Sequence, residues 1–177
     1  MSNNAWINKN RILINVIGFQ VLWWWCVLCG REGADFLAIA VVLIACAAHL
    51  RWVESWPDAL PILTITLLGC VLDQTMYHFN HVVFAHQESE AQWIPLWMAG
   101  LWLGFACTLN VSMRWLQNYW WLALILGAIF GPVAYLGAEK LGAIKLMQGN
   151  TTMILLAIGW GFLFPCLLRI RQLAAKG

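Results

Sequence analysis

Six stretches of this chain are each long and apolar enough to cross a lipid bilayer, and that property leaves few folds open. A spanning helix needs about 20 mostly apolar residues. Such stretches read at 12–30, 34–50, 59–79, 93–113, 119–138 and 152–168. They take up most of the 177 residues, so connections are short and a single membrane domain, 1–177, with no soluble domain is expected. Polar breaks support the divisions: Gly30-Arg31-Glu32-Gly33, the segment from Arg51 to Asp58 with Pro57, the segment from His86 to Gln92 with Glu88 and Glu90, Arg114 to Asn118, and Gln148-Gly149-Asn150.

Composition closes the alternatives. The chain is 62% hydrophobic and 10% charged, whereas a soluble domain is about half apolar and about a quarter charged. Too little polar surface exists to cover a soluble core. The net charge of +2 is small and dispersed, so no nucleic-acid partner is expected. Strand-like alternation is absent, which argues against a β-barrel. The first apolar run is too long for the core of a signal peptide, and five more follow it, so it reads as an uncleaved helix. The fold class expected is all-α: a polytopic membrane protein of six transmembrane helices in one bundle.

Orientation follows from the basic residues. Lys9, Arg11, Arg51, Arg114, Arg169, Arg171 and Lys176 fall on one side, and only Arg31, Lys140 and Lys145 on the other. This places both termini in the cytoplasm, with Glu32, Asp35, Glu88, Glu90 and Glu139 opposite. Trp52, Trp56, Trp115, Trp120 and Trp121 then mark the inner interface, and Trp93 and Trp97 the outer one.

Small residues predict where helices meet. Gly100 and Gly104 in the fourth span, and Gly127 and Gly131 in the fifth, are small-xxx-small pairs that let backbones approach. Pro132 removes one hydrogen bond inside the fifth span. The plain reading is tight packing; the sharper one is a hinge or a coordinating carbonyl at Gly131-Pro132.

Ionisable residues inside spans are costly and mark candidate sites. The third span ends in Asp73, Gln74, Tyr77, His78, Asn80 and His81. On a continuous helix Asp73, Tyr77 and His81 share one stripe, with His78 beside it. A carboxylate there needs a partner, a proton or water. Arg31, Tyr135, Glu139 and Lys140 could reach it, and Trp23, Trp24, Trp25, Trp93 and Trp97 could wall the same region. The expected ligand site is therefore Asp73, Tyr77, His78, His81 and Tyr135 with Trp23, Trp24 and Trp97, open to the outside and suited to an amphipathic or cationic molecule. The plain alternative is that Asp73 pairs with a neighbouring helix and the tryptophans form an interfacial belt.

Other chemistry is weakly signalled. His78-x-x-His81, with Asp73 or His86, has metal-like spacing but forms one cluster only, so no metal or cofactor is expected. Cys26-x-x-Cys29 lies at a helix C-terminal end, where the dipole opposes a thiolate. Cys46, Cys70, Cys107 and Cys166 read as single packers. Thr108, Asn110, Ser112 and Arg114 form a cytoplasmic polar cluster, read as self-bonding hydroxyls and an anchoring arginine rather than a ligand site.

Several segments together resemble a known family. They are Pro95-x-Trp97, Trp102, Phe105, Thr108-Leu109-Asn110-x-Ser112-x-Arg114-Trp115, Gly127-Ala128-x-x-Gly131-Pro132-x-x-Tyr135, Gly137 and Leu141-Gly142-Ala143. The chain resembles a domain-of-unknown-function family of short six-span bacterial inner-membrane proteins. That resemblance implies class, location and an acidic residue at Asp73, and assigns no catalytic residue. A looser likeness is to the substrate-binding membrane subunits of energy-coupling-factor vitamin transporters, without their Ala-x-x-x-Ala pair in the first span. The function expected is binding or translocation of a small amphipathic molecule or lipid, with membrane lipids as partners. The alternatives are a lipid-modifying enzyme using Asp73 and a histidine, and a structural subunit presenting a glycine-lined face.

Overall fold

The computed structural model describes residues 2–87 and 91–175, with side chains from residue 10 onward. The side chain of Lys9, and Glu88, Glu90 and Lys176, lie outside the described residues. The chain runs α1 (Ser2–Arg31), α2 (Asp35–Trp52), a 3₁₀ turn (Trp56–Asp58), α3 (Ala59–His78), β1 (Val82–Phe84), α4 (Leu96–Ala106), a second 3₁₀ turn (Arg114–Asn118), α5 (Trp120–Lys140), β2 (Ile144–Leu146) and α6 (Asn150–Ala174). Five of these helices are long and apolar enough to cross a membrane. This is an all-α bundle in class, with multi-pass membrane character.

The fourth predicted span differs. Residues 93–113 do not form one helix: α4 covers eleven residues, Leu96–Ala106. At about 1.5 Å per residue it is roughly 16 Å long, about half a hydrocarbon core. The cause lies in the polar residues that follow. The Thr108 hydroxyl donates to the Phe105 carbonyl at 2.6 Å, and Val111 and Met113 amides turn back onto the Thr108 carbonyl. Such side chains compete with helical bonding. Non-helical backbone at membrane depth survives where protein satisfies it. Here Asn15 donates to the Cys107 carbonyl and accepts from the Ser112 amide, while Gln117 donates to the Leu109 carbonyl.

α4 is buried almost all round, with Trp97, Met98, Gly100 and the run from Trp102 to Ala106 inside. It packs on α1, α2 and α3 and acts as the hub of the bundle. Its start is anchored where α2 begins and α3 ends, since the Leu96 amide donates to Asp35 and the Ile94 amide to Gln74. Its following turn reaches Asn15 and Glu54 at the opposite end.

A two-stranded antiparallel ladder between segments distant in sequence was not anticipated. β1 pairs with β2 in the register Val82↔Leu146, Val83↔Lys145, Phe84↔Ile144. Three residues per strand are too few to show alternation. The pairing buries Val82, Phe84 and Ile144 and ties the α3–α4 connection to the α5–α6 connection.

Glycines set the closest contacts. A methyl group at Gly127 or Gly131 would collide with Trp160 of α6, and one at Gly69 with the Trp102 ring. Gly100 faces Ile39 and Val42 of α2, Gly104 faces Leu22 and Phe19 of α1, and Pro132 is buried within α5. Both predicted glycine pairs are therefore covered by neighbouring helices, and neither presents a bare face.

Candidate functional site

α1 packs on α2 and α4, α5 packs on α6, and the space between α1 and α5 is a cleft of about 610 Å³. That volume falls in the range of small-molecule sites, about 300–1,000 Å³. Its floor is α4, through Trp97, Trp102 and Phe105, with Trp160 and Phe164 of α6 behind. Trp102 and Trp160 stack with ring centroids 4.8 Å apart, and Phe105 meets both edge-on. This aromatic wall is what the small residues of α5 make room for. The tip of Trp23 rests against Gly137 in the cleft lining, which also includes Met113, Trp115 and Leu116. Trp24, Phe130 and Val133 line it and are exposed, so it opens sideways.

Asp73 borders this cleft and is fully buried. One carboxylate oxygen accepts from Trp102 Nε1 at 2.5 Å, and the other accepts from the Tyr135 hydroxyl. The residue therefore joins α3, α4 and α5. Both partners are neutral. Arg31 instead pairs with Glu32 on the exposed end, and Glu139 accepts from the Leu146 amide. Asp73 thus sets the orientation of the two aromatic rings that face the cleft.

The stripe of Asp73, Tyr77 and His81 does not form. α3 stops at His78, and Asn80 takes a left-handed conformation, φ 56°, which Asn tolerates better than most residues. The Tyr77 hydroxyl donates to the Ala91 carbonyl, away from the cleft. His78 is exposed and meets Phe79 edge-on. His81 shares a hydrogen bond with Thr152 at 3.2 Å. Tyr135, Trp23, Trp24 and Trp97 do reach the cleft. Sequence reading missed Trp102 and Trp160 as its wall, although Trp102 lies one turn from buried Met98 and Phe105.

No histidine hydrogen-bonds to Asp73 among the described residues: His49 pairs with Glu54, His81 with Thr152, and His86 with the Arg31 carbonyl. Among the described residues no group of three or more His, Cys, Asp and Glu could hold a metal ion. Asp73 and a histidine, the pair expected for a lipid-modifying enzyme, do not hydrogen-bond to one another among the described residues.

A second polar centre, not foreseen, closes the other end of the bundle. Arg171 of α6 is fully buried, and its guanidinium donates to Glu54 and, at 2.6 Å, to Asp58. Glu54 also receives Asn110 and lies 2.8 Å from the His49 ring. Burial pushes the Glu54 carboxyl up, but the bonds from His49 and Asn110 and the charge of Arg171 prevail and hold it below the ordinary carboxylate range. The signal was present in the sequence: Phe164, Leu167, Leu168 and Arg171 lie at i, i+3, i+4 and i+7, one buried stripe. Of the predicted cytoplasmic cluster, Asn110 joins this centre, Thr108 and Ser112 bond to nearby backbone, and Arg114 is exposed.

Long apolar helices, polar groups drawn inward and an apolar side cleft define a multi-pass α-helical membrane protein. The chain belongs to the family described as protein of unknown function DUF2878, whose profile matches residues 12–166. No curated protein and no solved structure matches it.

Proposed function

We propose that this is a six-pass protein of a bacterial inner membrane, with both termini cytoplasmic, that binds or passes along a small amphipathic molecule or lipid in the cleft between α1 and α5. In this reading α4 and the turns after it make the sixth crossing, and the excess of Lys and Arg at the ends of α1, α2 and α6 faces the cytoplasm. Asp73 and Tyr135 then lie in the outer half.

The observation that carries this reading is the cleft itself: about 610 Å³, walled by aromatic rings and open sideways past Trp24, Phe130 and Val133. Its lining on α5 runs from Leu126 to Ala138, about 18 Å of helix, which suits a hydrocarbon chain lying along it. Asp73 acts as the polar anchor through Tyr135 and Trp102, which it holds in place, rather than by direct contact.

The test is photo-crosslinking of the reconstituted protein with a diazirine-bearing fatty-chain lipid, mapped by peptide. Crosslinks concentrated on Trp24, Phe130 and Val133, and competed by unlabelled lipid, are expected. Labelling that follows exposure alone, strongest at Phe36, Leu60 and Phe162, which are more exposed on other helices, would show ordinary lipid contact and overturn the reading.

A further inference from the structure

Cys46 of α2 and Cys107, the residue just after α4, bring their sulfurs to 3.8 Å across 61 positions of sequence. Read from sequence, each is a lone packing residue; folding makes them a pair. Cys107 sits where the helix has ended, with Thr108 to Met113 in turns. A disulfide needs sulfurs about 2.05 Å apart and is specific in geometry. The remaining distance is within reach because Cys107 is held by no following helical turn. Its surroundings are polar. His49 lies one helical turn beyond Cys46, bonded to Glu54, and the Cys107 carbonyl is held by Asn15.

We propose that Cys46 and Cys107 form a reversible intramolecular disulfide in response to peroxide. The Cys46 thiol loses its proton, and its sulfur attacks one peroxide oxygen. The O–O bond breaks, leaving a sulfenic acid and releasing one water. The Cys107 sulfur then attacks the Cys46 sulfur; the S–O bond breaks, the S–S bond forms, and the departing hydroxide takes the Cys107 proton as a second water. Two thiols are oxidised by two electrons and one peroxide is reduced to two waters. Hydrogen peroxide is small and uncharged, so it reaches a site beneath the membrane surface. In a reducing cytoplasm such a bond is transient and serves as a sensor rather than a permanent brace. It ties α2 to the turn whose far end, Met113, lines the cleft.

The purified full-length protein in detergent, fully reduced, is treated with dilute hydrogen peroxide. Titratable thiols should fall from six to four, the intact mass should drop by two hydrogens, and peptide mapping should join positions 46 and 107. C46S and C107S should each abolish the bond, and in C107S the Cys46 sulfenic acid, with no partner thiol to resolve it, should be trapped by dimedone. A bifunctional thiol reagent that fluoresces only when bridged, applied to the unmutated protein, reads the same proximity without any substitution. Six thiols surviving peroxide, a bond at Cys26–Cys29 instead, or a bond only between two copies would overturn the proposal.

Discussion

The Tyr135 hydroxyl donates a hydrogen bond to Asp73, and through that bond α5 is fixed to α3 beside the cleft. The second carboxylate oxygen holds Trp102 of α4. Three helices thus meet at one buried side chain, and the orientation of two cleft-facing rings depends on it.

Asp73→Ala leaves two buried donors without an acceptor, each costing about 1–3 kcal/mol. Tyr135→Phe leaves one buried carboxylate oxygen without its donor while the Trp102 bond stays in place, a single loss of about 1–3 kcal/mol. Thermal unfolding in detergent should therefore rank Asp73→Ala below Tyr135→Phe, and Tyr135→Phe below the parent. Equal midpoints for all three would show that the network contributes nothing to stability.

Glycine substitutions should separate by position. A methyl group at Gly131 meets Trp160, whereas Gly18 has nothing within 4 Å. Overpacking costs about 1–3 kcal/mol, while Gly→Ala in an open helical position gains up to about 1 kcal/mol. Gly131→Ala should lower the unfolding midpoint and Gly18→Ala should hold or raise it. The reverse order would contradict the α5–α6 contact.

Arg171→Met leaves Glu54 and Asp58 without their cation, and removing one partner of a buried pair costs about 3–5 kcal/mol. Arg169→Met, which loses only an exposed bond to Gln172, should change stability by less than about 0.5 kcal/mol. The contrast is read by unfolding of the two variants side by side.

Glu54 also imposes an acid limit. Its folded pKa lies below its unfolded value, so its contribution is fully present above the unfolded carboxylate pKa, about 4.3. It is lost as pH falls through the lower folded value. The unfolding midpoint should drop over that window in the parent protein. Glu54→Gln should start lower and lose the part of the slope that Glu54 supplies; an unchanged acid limb would rule Glu54 out as its source.

Filling the cleft should block it. Ala134 lines the cleft and is part-buried on α5, and Ala134→Phe projects a ring into that space. Crosslinking of the fatty-chain lipid to Trp24 and Phe130 should fall several-fold while the unfolding midpoint stays near that of the parent. Undiminished labelling would move the lipid site elsewhere.

Much of the fold was legible because it rests on local properties. Apolar runs bounded by Gly30-Arg31-Glu32-Gly33 or by Gln148-Gly149-Asn150 declare helices whatever their neighbours do, and α1, α2, α3, α5 and α6 fall where those runs lie. The fourth span misled because Trp97 to Cys107 is equally apolar, and the hydroxyl bonding that ends its helix depends on geometry around Thr108. The same limit explains the lost stripe: periodicity carries His81 onto the face of Asp73 only if the helix continues, and Asn80 ends it.

By itself, then, the chain determined that it inhabits a membrane, how most of its crossings divide, and that Asp73 and Tyr135 demand an explanation. Tertiary structure alone decided what those residues meet. Which rings face a shared cleft, that Arg171 belongs to Glu54 and Asp58, and that Cys46 touches Cys107 all depend on how separate helices are set against one another. Hydropathy and periodicity are averages over one segment, whereas a hydrogen bond or a sulfur contact between segments depends on their relative rotation and depth. Those are fixed by side-chain packing at sites such as Gly131 against Trp160.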